Sequence, residues 1–264
     1  MRRFILAAAL LTAATAVSAQ TRSVYIEDLT WFEIRDAMAA GKTGAIIYAG
    51  GTEQNGPHMA LVKHNLIAHH VAGQIAERLG TALVYPVMPF SPAGDATEKT
   101  GHMRFPGTVT VSSEVFLGVM RQVAQSALAA GFKQVYLMGD HGGGQAELRL
   151  AAEGLDTDAR RKGARVYYVD MATQSGQQMN AYMAERKIAP GGHAGVAETA
   201  QVVALDTDGR YIRRDRFAAS AAGPEPANGM MANVSPATAE VGKVFLEYKV
   251  ASAVEQIRRL TAPK

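Results

Sequence analysis

Short apolar runs alternate along this chain with longer amphipathic stretches. Four of the runs have the length and composition of buried strands, and they lie at residues 44–50, 82–87, 134–138 and 165–170. The amphipathic stretches predict helices at about 31–40, 65–79, 113–130, 145–162, 196–204 and 237–260. Strands that alternate with helices form a mainly parallel sheet joined by right-handed crossovers. We therefore expect an α/β fold in which a single domain has three layers, α/β/α, around a mainly parallel sheet.

The ends of several helices are marked by residues with defined local roles. Thr30 and Glu33 have the spacing of a capping box, which predicts that the first helix begins at residue 31. Gly80 and Gly131 directly follow amphipathic stretches, where a glycine typically ends a helix.

The first 19 residues have the pattern of a secretory signal peptide. Arg2 and Arg3 precede an apolar run at residues 4–17, and Val17-Ser18-Ala19 resembles a cleavage site. The alternative is a membrane anchor, but the run is shorter than the roughly 20 apolar residues that a spanning helix requires. We expect residues 1–19 to be removed, leaving a mature domain of residues 20–264 that is periplasmic or secreted and not membrane-bound.

Composition excludes some classes of function. The chain has 264 residues, of which 48% are hydrophobic and 19% are charged. Removal of two arginines and no acids with the signal peptide lowers the formal net charge from +3 to +1, so no basic surface for nucleic acid is expected. The absence of cysteine excludes disulfides and thiolate ligands, and any metal site must use nitrogen and oxygen donors.

Acidic and imidazole side chains follow two of the predicted strands. Glu53 and His64 flank a Gly/Pro loop after strand 44–50, and His141 follows strand 134–138. Ligands of open α/β sheets bind at the carboxyl ends of strands. If these two strands are neighbours, the three side chains converge as metal ligands, and three such ligands plus water are typical of catalytic zinc. Local roles in the loops are the alternative for each residue alone.

Three other segments contain candidate functional residues. Gly142–Gly144 precedes a helix, where glycines allow the backbone to approach a metal or substrate closely, and a nucleotide site is less well supported because no Lys-Ser/Thr follows. His193 and Glu198 flank a helix start and form a possible proton shuttle, although Glu198 is also a typical partner of a helix dipole. His102 is a candidate for facing the pocket, and Arg104 either binds a carboxylate or contacts a neighbouring loop, with neither alternative favoured.

Four motifs in order resemble those of the creatininase family of metal-dependent amidohydrolases. They are EQNGPHMA (53–60), HMRFPGT (102–108), GDHGGG (139–144) and HAGVAET (193–199). The resemblance runs from about Leu29 to Leu205 and continues weakly to the C-terminus. It implies a single α/β domain, often assembled into hexamers, that hydrolyses C–N bonds with one or two divalent ions.

The resemblance also implies a metal site that departs from the family pattern. Glu53, His64 and His141 match metal ligands, although His64 stands where the family has an aspartate that bridges two ions. Asn55 and Gly143 stand where the family has ligands of the second ion. We therefore expect one ion per chain, with zinc favoured by the Glu-His-His set and manganese or iron possible.

His193 and Glu198 match the family residues that handle proton transfer, so we expect them to be catalytic. The remaining pocket residues are expected to support the ligands or to contact substrate, and they are Asn55, His58, His102, Asp140, Gly142 and Gly143. Asp140 in particular is expected to orient an imidazole or to serve as an extra ligand.

The expected function is that of an exported metal-dependent amidohydrolase acting on a small cyclic or formyl amide through a metal-activated water. Two alternatives stay open: a non-catalytic exported protein of the same fold that binds a ligand, and a hydrolase or lyase acting on a sugar-like ring. The expected partners are a small-molecule amide and further copies of the chain, in a hexamer by family resemblance, and no nucleic acid.

The signal peptide gives the first testable prediction. Expressed with its natural N-terminus in a bacterium, the protein should be recovered from the periplasm or medium with Gln20 as its first residue. N-terminal sequencing and intact mass measure this directly. Full-length chain retained in the membrane fraction would show instead that the segment is an anchor.

Overall fold

The computed structural model describes residues 23–189, 191–218 and 233–262. The predicted signal peptide, residues 1–19, lies outside the described residues. Within the described ranges, no helix combines the length and the apolar character needed to cross a membrane.

Four parallel strands form the sheet of the described chain, in the order β2-β1-β3-β4. Their bounds are β1 Gly44–Ala49, β2 Ala82–Val84, β3 Gln134–Gly139 and β4 Arg165–Tyr168. The register of β1 and β3 pairs Ala49 with Gly139, so these central strands end side by side. The α/β fold with a parallel sheet is confirmed, and the condition that the first and third strands are neighbours is met.

Helices cover both faces of the sheet. Their bounds are α1 Trp31–Ala39, α2 Lys63–Leu79, α3 Ser113–Ala130, α4 Gln145–Arg161, α5 Ala172–Glu185, α6 Val196–Leu205 and α7 Ala239–Thr261. Helices α2, α5, α6 and α7 pack on one face and α1, α3 and α4 on the other. Alternate residues of β1 point to the two faces, as Ile46 does to the first and Ile47 to the second. The three layers therefore follow from strands buried on both sides.

Helix α5 was not predicted from the sequence. Its segment, ATQSGQQMNAYMAE, is mostly polar, has Gly176 in its interior and has no side-chain cap at its start. Met179 and Met183 are buried against the core, which stabilises a helix that its own sequence specifies weakly. By contrast, the capping box at Thr30 forms, with the Thr30 backbone N–H donating to Glu33 Oε2 at 2.7 Å.

Gly80 and Gly131 end α2 and α3 as predicted, with φ angles of 70° and 103°. Both lie in the left-handed region that glycine occupies at little cost.

The close packing of α7 against α6 gives a prediction about stability. A Cβ on Gly242 of α7 would lie 1.9 Å from the Ala200 carbonyl oxygen of α6, so Gly242→Ala should force the helices apart and destabilise the protein by about 1–3 kcal/mol. Gly118→Ala in α3 is the matched control, because its Cβ meets no described atom within 4 Å. That variant should gain about 0.5–1 kcal/mol from the reduced entropy of the unfolded chain. Urea unfolding compares the two, and equal effects would contradict the packing argument.

Candidate metal centre

The Glu53 carboxylate lies at the centre of the candidate site. It is 1% exposed and sits in the loop after β1. On one side its Oε1 lies 2.7 Å from His64 Nε2 and 3.1 Å from Lys63 Nζ. On the other side its Oε2 lies 2.8 Å from His141 Nε2 and 3.2 Å from His102 Nε2. One buried carboxylate therefore contacts three imidazoles and an ammonium group.

Side-chain amides fix the loop that carries Glu53. Asn55 Nδ2 donates to the carbonyl oxygens of Glu53 at 2.9 Å and Ala60 at 3.0 Å, while Asn65 Oδ1 accepts from the Gly51 N–H at 2.9 Å. The Asn55 Oδ1 atom is buried and accepts no hydrogen bond from the described residues. Asn55, expected to support the site, thus shapes the loop through its nitrogen.

His64 is oriented by a buried carboxylate on its far side. Its Nδ1 lies 2.6 Å from Asp140 Oδ2, and the other oxygen of Asp140 accepts from the ammonium group of Lys249 on α7. Burial and the Lys63 charge act to lower the pKa of His64, but the hydrogen bonds to Asp140 and Glu53 raise it above its ordinary value. An imidazole that donates through Nδ1 to a carboxylate presents Nε2 to a metal in the usual tautomer of a ligand.

His102 lies in a single 3₁₀ turn, Gly101–Arg104, within the long loop after β2. Its Nδ1 lies 3.1 Å from Gln54 Nε2, and Gln54 Oε1 accepts from the Gly56 N–H at 2.9 Å, which orients the amide. The Gln54 nitrogen therefore donates to His102 Nδ1, and neutral His102 carries its proton on Nε2. In this arrangement His102 donates to Glu53.

His141 is positioned by the glycines that follow it. The Gly143 N–H donates to its Nδ1 at 2.9 Å, and the Gly143 carbonyl oxygen lies 3.3 Å from the same atom, so both tautomers have a partner. A Cβ on Gly143 would lie 2.0 Å from the Pro92 carbonyl oxygen, which excludes a side chain there on this backbone. The expectation that these glycines permit close backbone approach holds for Gly143. Gly142 is exposed and only continues the turn.

His193 and Glu198 reach the cluster from the start of α6. His193 Nε2 donates to the Gln54 carbonyl oxygen at 2.7 Å, and its Nδ1 lies 3.5 Å from Glu53 Oε1. Glu198 Oε2 accepts from Lys63 Nζ at 2.6 Å and from the Ala194 N–H at 2.7 Å. Ala194 has a φ of 53°, a strained conformation for alanine that persists where the surroundings require it.

The charges around Glu53, Glu198 and His193 set the protonation states of these side chains. Burial acts to raise the pKa of Glu53, but hydrogen bonds from His141 and His64 and the Lys63 charge hold it well below its ordinary value. Burial likewise opposes the charges around Glu198, led by Lys63, which lower its pKa to about 2. Burial and the Lys63 charge lower the pKa of His193 to about 4. At neutral pH the site therefore holds ionised carboxylates and a neutral His193.

His58 lies apart from this cluster. It is fully buried, its Nε2 lies 2.9 Å from Thr199 Oγ1, and its ring packs edge-on against Phe217. Its position joins the Glu53 loop to α6, and we find no described contact between His58 and Glu53.

Sequence reasoning missed three members of the cluster: Gln54, Lys63 and Lys249. Lys63 directly precedes the predicted ligand His64. Because a lysine near a helix start usually faces solvent, its place in the sequence did not predict its burial. Lys249 is 109 residues from Asp140 and is brought to it only by the packing of α7.

The donor set fits a divalent ion. Glu53, His102 and His141 each offer an atom within 4.8 Å of the others, and carboxylate and imidazole are typical zinc ligands. The predicted set shares Glu53 and His141 with this group and has His64 as its third member. The distances between donor atoms favour His102 as the third ligand. The hydrogen bond of His64 Nδ1 to Asp140 favours His64 instead, because it directs Nε2 toward the site. The ligand set stays a prediction.

Comparisons with known proteins agree with these features. The sequence profile of the creatininase family, described as creatinine amidohydrolase, matches residues 27–257. The creatinine amidohydrolase of Pseudomonas putida is 25% identical over 264 residues, covering 92% of this chain and 99% of that protein.

Two further relatives match over shorter regions. A mycofactocin precursor peptide peptidase of Mycolicibacterium smegmatis is 30% identical over 45% of this chain and 47% of its own length. A 3-dehydro-scyllo-inosose hydrolase of Thermotoga maritima is 27% identical over 45% of this chain and 36% of its own. Among solved structures, a creatininase with a tryptophan-to-alanine substitution superposes with a TM-score of 0.77 at 23% identity, covering 92% of this chain and all of that one, which shows the shared fold.

The lowered pKa of Glu198 predicts how the stability of metal-free protein depends on pH. A carboxyl group with a depressed folded-state pKa stabilises the fold above its unfolded pKa, and the contribution is lost as the pH falls through the folded value. The difference in unfolding free energy between wild type and Glu198→Gln should therefore be largest above pH 4.5 and shrink toward pH 2. Urea titrations in chelator across this range measure it. A difference that does not change with pH would contradict the ion pair with Lys63.

Proposed function

The chain belongs to the creatininase family, and we propose that it is an exported amidohydrolase that uses one divalent ion to hydrolyse a C–N bond of a small cyclic or formyl amide. The observation that carries the proposal is the buried Glu53 carboxylate, whose two oxygens face the Nε2 atoms of His64 and His141. Family membership supports C–N hydrolysis, and the donor set supports a metal.

We assign the ion to Glu53, His64 and His141. Asp140 holds His64 in the tautomer that presents Nε2, whereas Gln54 holds His102 in the tautomer that donates. Zinc is favoured by this donor set, and manganese is the alternative; solved creatininases include a Zn-Zn form and a Mn form. A bound ion of this kind polarises a substrate carbonyl and lowers the pKa of water from 15.7 to about 7.

The chain's own groups supply the proton transfer. Glu198 is ionised at neutral pH and partly exposed, so its carboxylate is available to accept a proton from the attacking water and pass it to the leaving nitrogen. Lys63 and the Ala194 N–H hold that carboxylate in place. Neutral His193, anchored by the Gln54 carbonyl, lines the same space beside Glu53 and positions the substrate.

The relatives support the proposed size and class of the substrate. The Pseudomonas putida relative acts on creatinine, a cyclic amide, and is similar along nearly the whole chain. A second candidate is a hydrolase of a sugar-like ring, which the similarity to the Thermotoga maritima inosose hydrolase favours. Both candidate reactions would use the metal-activated water, and identification of the product distinguishes them.

Export and assembly complete the proposal. The pattern around Arg2 and Arg3 supports a periplasmic or secreted enzyme. Family resemblance supports a homo-oligomer, with a hexamer as the expected form. Light scattering on the purified mature chain measures the mass of the assembly.

Elemental analysis coupled to an amide screen tests the function. Purified wild type should carry about one ion per chain, and Glu53→Ala and His141→Ala should lose it together with all hydrolysis of cyclic and formyl amides. His69→Ala is the matched control, because it removes an exposed imidazole of α2 that contacts Glu27 rather than Glu53. It should keep both metal and activity.

Two further variants decide the third ligand. If His64 binds the ion, His64→Ala should abolish metal retention, and His102→Ala should weaken it only about 10–100-fold by releasing a supporting hydrogen bond. The reverse order would assign the ion to His102. Bound metal without turnover of any amide or cyclic sugar derivative would instead favour the non-catalytic binding protein.

A further inference from the structure

Lys63 is the buried cation of the site. Its side chain is fully inaccessible to solvent, whereas lysine is rarely buried unless its ammonium group is paired. Its Nζ lies 3.1 Å from Glu53 Oε1 and 2.6 Å from Glu198 Oε2. An ammonium group therefore bridges two carboxylates, one from the loop after β1 and one from the first turn of α6.

This bridge occupies the place where carboxylates could share another metal ion. Two acidic oxygens that face one point inside a protein form a typical cation site, and here that point is filled by Nζ. Burial of a lysine is costly unless it is paired, and two carboxylates provide the pairing.

One position beside the site that could carry a further acidic ligand is closed. Position 143, two residues beyond His141, is closed to any side chain by the Pro92 carbonyl oxygen. Charge balance agrees, because the acids Glu53, Glu198 and Asp140 face two ammonium groups, those of Lys63 and Lys249. Counting these carboxylates and ammonium groups alone, the described cluster carries one excess negative charge.

We infer that Lys63 is a built-in replacement for a second metal ion, and that it limits the site to one divalent ion per chain. The inference rests on the proposed metal-dependent function and deepens it by naming the residue that sets the number of ions. Lys63 is thus a positioning residue, which holds Glu53 toward the imidazoles and Glu198 toward the substrate.

Metal stoichiometry tests this inference without recourse to activity. Chelator-treated protein is equilibrated with Zn²⁺ or Mn²⁺ alone and desalted, and the number of ions per chain is measured by elemental mass spectrometry. Wild type and Lys63→Arg should hold about one ion per chain, because both keep the positive charge, and Lys63→Ala should rise toward about two. The melting temperature of Lys63→Ala should be lower than that of wild type without metal and should be raised more by added metal.

Lys249→Ala is the matched control. It also removes a buried ammonium group from a buried carboxylate, that of Asp140, but away from the bridge between Glu53 and Glu198. It should stay at one ion per chain. A gain of an ion in Lys249→Ala equal to that in Lys63→Ala would overturn the inference, since any lost positive charge would then suffice.

The remaining outcomes separate this inference from the proposed function. Wild type with two ions, or Lys63→Ala that stays at one ion with no added stabilisation by metal, overturns the role of Lys63 and leaves the hydrolase proposal standing. Wild type that binds no ion overturns both. If Lys63→Ala does not fold, Lys63→Gln replaces it with the same expectation, because its amide can still donate to one carboxylate without a charge.

Discussion

Burial of the Glu53 carboxylate against the Lys63 ammonium group is the interaction on which the candidate site depends. A carboxylate that is 1% exposed would cost several kcal/mol if it were unpaired. Lys63 and the imidazoles of His64 and His141 offset this cost, and they come from the start of α2 and the end of β3. The same contact therefore stabilises the junction of these elements and keeps a buried carboxylate ionised, as a metal ligand must be.

The position of this pocket follows from the topology of the sheet. Because β1 and β3 are adjacent and parallel, the loops that follow them emerge at one edge, and Glu53 and His141 meet there. A second series of contacts connects the pocket to the C-terminal helix. Lys249 of α7 binds Asp140, and Asp140 orients His64. Site geometry thus depends on the packing of a C-terminal helix and on the polar contacts that connect it to His64.

Much of this arrangement could be predicted from the sequence, for identifiable reasons. Strands β1 and β3 are short apolar runs with turn residues after them, and the polar residues of interest follow directly. The sequence therefore placed Glu53 and His141 at strand ends, and the adjacency of β1 and β3 in the structure brings them together. Helix α2 begins at Lys63, two residues before its predicted start, and the two added residues, Lys63 and His64, are both buried. Tertiary packing fixed that boundary, as it did the whole of α5. The contacts of Gln54 and Lys249 could not be predicted, because each depends on side-chain geometry across distant segments.

The central claim is that one divalent ion binds between Glu53 and the imidazoles while Lys63 fills the neighbouring cation position. A crystal structure of the wild-type protein grown with Zn²⁺, with diffraction measured on both sides of the zinc absorption edge, tests this most directly. The account predicts one anomalous peak per chain, within bonding distance of Glu53, His64 and His141 at about 2.0–2.2 Å, with the Lys63–Glu198 contact intact. Two peaks per chain, or a single peak that displaces Lys63 from between the carboxylates, would contradict it.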